Sequence, residues 1–292
     1  MENNNKTITL GGVPNPLNNT VVIVVGGVAA DKPSILGDSL DLNGITISSD
    51  KAYALAMQSN KARAELMDRW GLEINKVDMS NPEEVDDMYY KIDRVAHPSA
   101  WTPKELSSWL NRNKPEIKPN LIYLDAVDES IDFFNLAHAI KGYGYDKKDI
   151  HVVWIAESLD TVKSRKLDSK GRPTTAAVIS QTHWFITRLM KNLLTDPSYE
   201  SKYMDGDIWM VMENDRIIQL KESGSPVNKN KLTKEVMDMF EQSPDHISSD
   251  FNTNKKKKSK KQFNREIRER HLRNQKQSDI DALWDTIEKR YF

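Results

Sequence analysis

Apolar positions in this chain come in short unbroken runs separated by longer amphipathic stretches. VVIVV (21–25), LIYLD (121–125), IHVVWIA (150–156) and DIWMVM (207–212) have no polar alternation, the pattern of strands buried on both faces. ITISS (45–49) predicts a further short strand, and RIIQL (216–220), after a turn at 213–215, predicts a hairpin-like end. Between them the spacing turns helical. Asp50 opens KAYALAMQSNKARAELMDRW, with Ala54, Met57, Ala64 and Met67 on roughly one face and Gly71 as its stop. SNPEE (80–84) carries Asn81 as cap, Pro82 in the first turn and acids behind them, and TPKE (102–105) repeats that signature. Residues 80–119 therefore read as helices with polar joints, an inserted cap rather than core. SIDFFNLAHAIKGYGY predicts a helix closing at Gly142 or Gly144, VKSRK leads into a loop, and PTTAAVISQTHWFITRLMKNLL predicts a long amphipathic helix opening at Pro173.

Strands alternating with helices predict an α/β fold, a parallel sheet covered by helices on both faces. The expected division is a loose arm over 1–17, an α/β domain over 18–222 with the insertion at about 80–119, a polar linker over 223–260 broken by Pro226 and Pro244, and a basic segment with a terminal helix over 261–292. The chain has 292 residues, enough to bury a sizeable core. It contains no Cys, which removes disulfides, thiolate zinc sites and a cysteine nucleophile. MENNNKTITL has no basic region followed by a long apolar run, so no secretory leader is expected, and no apolar segment has membrane-spanning length. A cytosolic or virion location fits.

The stretch with candidate chemistry is GGVAADKPS (26–34), directly after VVIVV. A strand, a glycine turn and a helix form the setting of a phosphate-binding loop, whose consensus is G-x-x-x-x-G-K-[ST]. Gly26 and Gly27 open the turn, and Lys32 follows Gly26 by the consensus spacing. Asp31 stands at the second glycine and Pro33 at the hydroxyl position, with Ser34 one place late. A carboxylate at Asp31 opposes a triphosphate, and its Cβ obstructs close backbone approach. Pro33 removes an N–H donor and the oxygen that would hold Mg²⁺.

Read onward from this loop, the chain resembles the zeta-toxin-like P-loop kinases encoded by large tailed bacteriophages. GGVAADKPS is similar to their GGPASGKG-type loop. LDLNGITISSDKAYALAMQS resembles their next strand, acid and helix; LIYLDAVDES resembles their third strand; AHAIKGYGYDKKDIHVVWIAES and RKLDSKGRPTTAAVISQTH resemble the segment before the lid and the lid itself. The resemblance covers about residues 20–215 and implies ATP and Mg²⁺ as cofactors of an active member. It implies Lys32 as the phosphate-loop lysine, with Gly26, Gly27 and Ser34 beside the nucleotide. It implies Asp50 as the base acting on the acceptor hydroxyl, Asp125 near metal or substrate, and Arg165 and Arg172 as lid arginines. The family's Thr two residues after the strand-end acid is Val127 here. Each residue has a structural alternative. A Lys after a glycine turn, such as Lys32, is usually just solvated, Asp50 reads as a helix cap, and Arg165 and Arg172 as part of a solvated basic loop with Lys163, Lys166 and Lys170. His151 and His183 read as core or surface residues, and His97–Pro98 as a turn.

Charge changes the picture only at the end of the chain. Net charge is −1, but residues 255–276 hold a local balance of +9. Lys255, Lys256, Lys257, Lys258, Lys260 and Lys261 form a run suited to non-specific contact with nucleic-acid phosphates, or to a solvated tail. QSDIDALWDTIEKRYF then places Ile280, Leu283, Trp284, Ile287 and Tyr291 on one stripe, the face of a helix that docks on a partner protein or back on its own domain. Two functions stay open. One is a weakened or inactive kinase-like protein serving as an assembly component, in a phage particle if the resemblance extends to origin. The other is an active ATP-dependent phosphotransferase.

Overall fold

The computed structural model describes residues 7–27, 32, 39–98, 107–108, 110, 112, 116–124, 130–168, 174–196, 204–212 and 216–241, and only the backbone of 49–51, 130–132, 165–168 and 241. The chain divides into two compact units, Met1–Ser243 and Pro244–Phe292; the elements below all belong to the first.

The apolar runs are strands: β1 (Val21–Val25), β2 (Ile45–Ile47), β3 (Leu121–Tyr123), β4 (Ile150–Ala156), β5 (Ile208–Met212) and β6 (Ile217–Lys221). They form one six-stranded sheet in the order β2-β3-β1-β4-β5-β6. All neighbours run parallel except β5 and β6, the antiparallel hairpin expected at the end. β1 is central: Val21 pairs with Leu121 on one side and with Ile150 on the other. Its five side chains are wholly buried, and they alternate between two cores. Val21, Ile23 and Val25 join Trp154, Phe133, Ile186 and Phe240 on one face of the sheet. Val22 and Val24 join Val153, Ile155 and Trp209 on the other, under Ile8, Leu10, Leu40 and Leu42.

The helices are α1 (Ser49–Gln58), α2 (Asn60–Trp70), α3 (Pro82–Ala96), α4 (Ser130–Gly142), α5 (Leu159–Asp168), α6 (Ala176–Thr195) and α7 (Lys234–Glu241). Local signals account for many of their ends. Gly71 closes α2 in the left-handed region at φ 62, where glycine carries no Cβ penalty. Asn81 accepts from Glu83 N and Pro82 opens α3, which ends at His97 in left-handed conformation. α1, α2 and α3 pack on one another as a helical subassembly, joined by Tyr53 and Tyr89 with ring centroids 5.0 Å apart. TPKE (102–105) lies outside the described residues. No helix among the described residues is long and apolar enough to cross a membrane.

Several expectations need correction. The single helix expected over 50–70 is two, because Ser59 caps α2 and accepts from Ala62 N. The segment after VKSRK stays helical to Asp168. The long helix opens at Ala176, capped by Thr175, not at Pro173. Residues 7–20 are not loose. Ile8 and Leu10 are buried, Trp209 Nε1 donates to Thr9 O at 2.7 Å, and Gly11 N donates to Asp207. Nor is the stretch from 223 to 241 an open linker: α7 buries Val236, Met239 and Phe240, with Phe240 stacked on Trp154 at 5.8 Å.

Asp207, at the amino end of β5, holds this lower edge of the sheet together. Its carboxylate accepts from Gly11 N, Ser223 N and Gln219 Nε2 and lies 2.9 Å from Nδ1 of His151. The same Nδ1 is 2.9 Å from Asp207 N. The two contacts require opposite protonation of that nitrogen, so one is made at a time. His151 is thus a core residue, as one of its two sequence readings held. Burial alone would raise the carboxyl's pKa, but the hydrogen bonds from His151, Gly11 and Ser223 pull it below the ordinary value. Its stabilising contribution is therefore complete above the unfolded carboxyl pKa of ~3.9 and is lost as pH falls through the depressed folded value.

Two predictions follow from this edge. Gly206→Ala places a Cβ 2.2 Å from Ile150 O, a backbone atom that cannot rotate away, and should lower stability in urea titrations by ~2 kcal/mol or more. Asp207→Asn should cost ~3 kcal/mol at pH 7. The gap between wild type and variant, measured by urea unfolding at pH 7, 5, 4 and 3, should close below about pH 4.

Candidate functional site

In an open parallel sheet, ligands bind beyond the carboxyl ends of the strands, where neighbouring connections leave in opposite directions. Here the connection from β1 runs to β2 on one flank, while the connection from β3 crosses β1 to reach β4 on the other. That switch point lies beyond Val25 and Tyr123, and Gly26 and Gly27 follow Val25 directly because β1 ends there. Both glycines are buried. A Cβ on Gly27 would meet only Val162 Cγ1, at an ordinary 3.7 Å. Neighbouring protein atoms therefore do not require a glycine at 27.

Lys32 is the decisive side chain. It is helical and only 8% exposed, and its Nζ donates to Leu124 O at 2.9 Å. Leu124 is itself fixed, its N–H bonded to Ile47 O. The solvated alternative for this lysine is therefore wrong: the ammonium reaches from the segment after β1 to the end of β3. A buried cation needs acceptors to offset desolvation, and a carbonyl at a strand end supplies one.

The remaining expected residues are only partly placed. Asp50 occupies the second position of α1, one residue inside the helix, so it is not the cap; its side chain lies outside the described atoms. Arg165 belongs to the last turns of α5, its side chain likewise not described. Asp125 directly follows Leu124, but Asp31, Pro33, Ser34, Asp125 and Arg172 lie outside the described residues. So do Lys255, Lys256, Lys257, Lys258, Lys260, Lys261, Trp284 and Ile287. The structure brings together Gly26, Gly27, Lys32 and the end of β3.

Sequence reasoning missed a second group beside the glycines. Glu157, one residue past β4, is 6% exposed. With Gly27, His183, Thr187 and Met239 it lines a small cleft between β4, α6 and α7. Nε2 of His183 is 2.9 Å from Glu157 O, so the neutral ring carries its proton on Nε2 and leaves Nδ1 as an acceptor. Thr187 Oγ1 donates to His183 O at 2.8 Å. The signal was present for Glu157, an acid immediately after the apolar run IHVVWIA, as Asp125 closes LIYLD. No such signal marked His183, which looks like any polar residue on a long amphipathic helix.

No family model and no curated protein matches the chain. Among solved structures, it is similar to a chain from the PezAT chromosomal toxin–antitoxin system of the human pathogen Streptococcus pneumoniae. The two share 14% identity over 76% of each chain, with a TM-score of 0.43.

Burial lowers the pKa of His183; the Glu157 carbonyl opposes this and the Lys163 charge adds to it. The ring is then neutral at pH 7 in the folded chain. Folding stability from this group is complete above the ordinary histidine value of ~6.5 and declines as pH falls below it, because the unfolded chain takes up the proton first. An NMR titration of the His183 ring protons should give an inflection below ~6.5; one at or above that value contradicts the assignment.

Proposed function

We propose that the chain is a kinase-like protein that holds nucleotide phosphates at the carboxyl ends of β1 and β3 and whose phosphoryl transfer is impaired. The observation that carries this reading is the buried Lys32 ammonium bridging to Leu124 O. A lysine enclosed at the mouth of the central strands, after a glycine turn, fits a phosphate group by charge and position. The order of motifs shared with zeta-toxin-like kinases supports the same reading.

The residues fit the two cofactors unequally. ATP fits on the side of Gly26, Gly27 and Lys32. Mg²⁺ does not fit the loop sequence, since Pro33 has no side-chain hydroxyl where the consensus places the metal ligand; the Asp31 carboxylate, in place of the second consensus glycine, counts against the triphosphate rather than the metal. No step through the metal is therefore derived. Phosphoryl transfer relies on positioning and charge neutralisation. Losing one preorganised donor costs ~3 kcal/mol, about a hundredfold in rate, and two such losses leave little turnover. The assembly and nucleic-acid roles suggested by residues 255–292 concern residues outside those described, and this reading does not depend on them.

The test is a comparison of wild type, Lys32→Met and the double variant Asp31→Gly/Pro33→Thr. In thermal shift with millimolar ATP, wild type should rise slightly, Lys32→Met not at all, and the double variant clearly more, with Mg²⁺ adding to the shift only in the double variant. No phosphoryl transfer should be detected from wild type. Turnover by wild type in the ordinary kinase range of ~1–100 s⁻¹, or an ATP shift untouched by Lys32→Met, defeats the proposal.

A further inference from the structure

We infer that α7 is a brace for the glycine turn, so that its docking and the state of the crevice beyond β1 are coupled. The inference names the same site as the proposed function, but its central measurement needs no nucleotide. α7 has eight residues, too few to hold a helix on propensity alone. It is helical because it is seated. Val236, Met239 and Phe240, at i, i+3 and i+4, form its buried face, and Thr233 Oγ1 accepts from Val236 N to cap it.

The seat is specific. The Phe240 ring lies nearly parallel to Trp154, 13° between planes. Trp154 is the register partner of Val25, the residue immediately before Gly26. Met239 borders the same cleft as Gly27 and His183. One face of α7 therefore touches β4, the strand paired with the end of β1, and walls the cleft beside the turn itself. Gly27 has no side chain with which to anchor itself. Removing α7 opens that wall and takes away the ring stacked on Trp154.

Short elements with few buried contacts open locally at low free energy. Coupling of two such events is reciprocal: whatever settles the crevice tightens α7, and whatever draws α7 away loosens the turn.

Hydrogen exchange on the full chain, comparing wild type with Phe240→Ala, tests the brace. Exchange should accelerate about tenfold or more across 234–241, and also in peptides spanning Val25–Gly27 and Ile179–Thr187, with Val85–Ile92 of α3 unchanged. Acceleration confined to 234–241 overturns the inference. If Val85–Ile92 accelerates as well, the substitution has loosened the whole domain, and Phe240→Leu, which keeps most of the volume, decides between the same two patterns. ATP thermal shifts on the same variants separate the two claims. A wild type that ignores ATP but shows the regional exchange pattern retains the brace and loses the nucleotide assignment. Equal stabilisation of wild type and Phe240→Ala by ATP, together with exchange accelerated only across 234–241, retains the nucleotide and loses the brace.

Discussion

Everything near the candidate site depends on β1 being buried on both faces with a parallel neighbour on each edge. Its β-branched side chains serve two cores at once, each contributing ~2 kcal/mol of transfer free energy. Its backbone pairs with β4 along its whole length and with β3 over Val21–Ile23. Such a strand has no freedom to slide, since a one-residue slip would exchange its two faces. The position of Gly26 is therefore set by the core, not by the loop that follows it.

From that fixed end the site is assembled by reach. Lys32 leaves the segment after β1 and bonds the end of β3. Glu157 extends β4 by one residue, and His183 comes from α6 to meet its carbonyl. α7 closes the side of the cleft through Met239. Charge is placed asymmetrically: a buried ammonium on the side of β3, and a neutral imidazole on the side of β4.

The opposite edge of the sheet has a different task. Asp207, His151, Gly11 and Ser223 tie together segments distant in sequence, and Asn120 receives Thr20 N while donating to Pro16 O and Asn43 O. These buried polar groups are satisfied by one another, so they fix the amino ends of the strands. The histidine there is structural, whereas His183 borders the cleft, although a sequence gives both the same reading.

Periodicity and punctuation were sufficient for the sheet strands, the hairpin, and helix ends such as Asn81–Pro82 and Gly71, because those choices are made by neighbours within a few residues. The glycine turn and its departures at Asp31 and Pro33 were legible for the same reason. Tertiary structure alone decided that Lys32 is enclosed, that Glu157 and His183 meet, and that Ile8, Leu10 and the inner face of α7 belong to the core. Each of those outcomes turns on a partner far along the chain: Leu124 for Lys32, Trp209 for Thr9, Trp154 for Phe240. A polar or short segment carries no local mark of the surface that will cover it; only closure of the sheet brings that surface within contact distance.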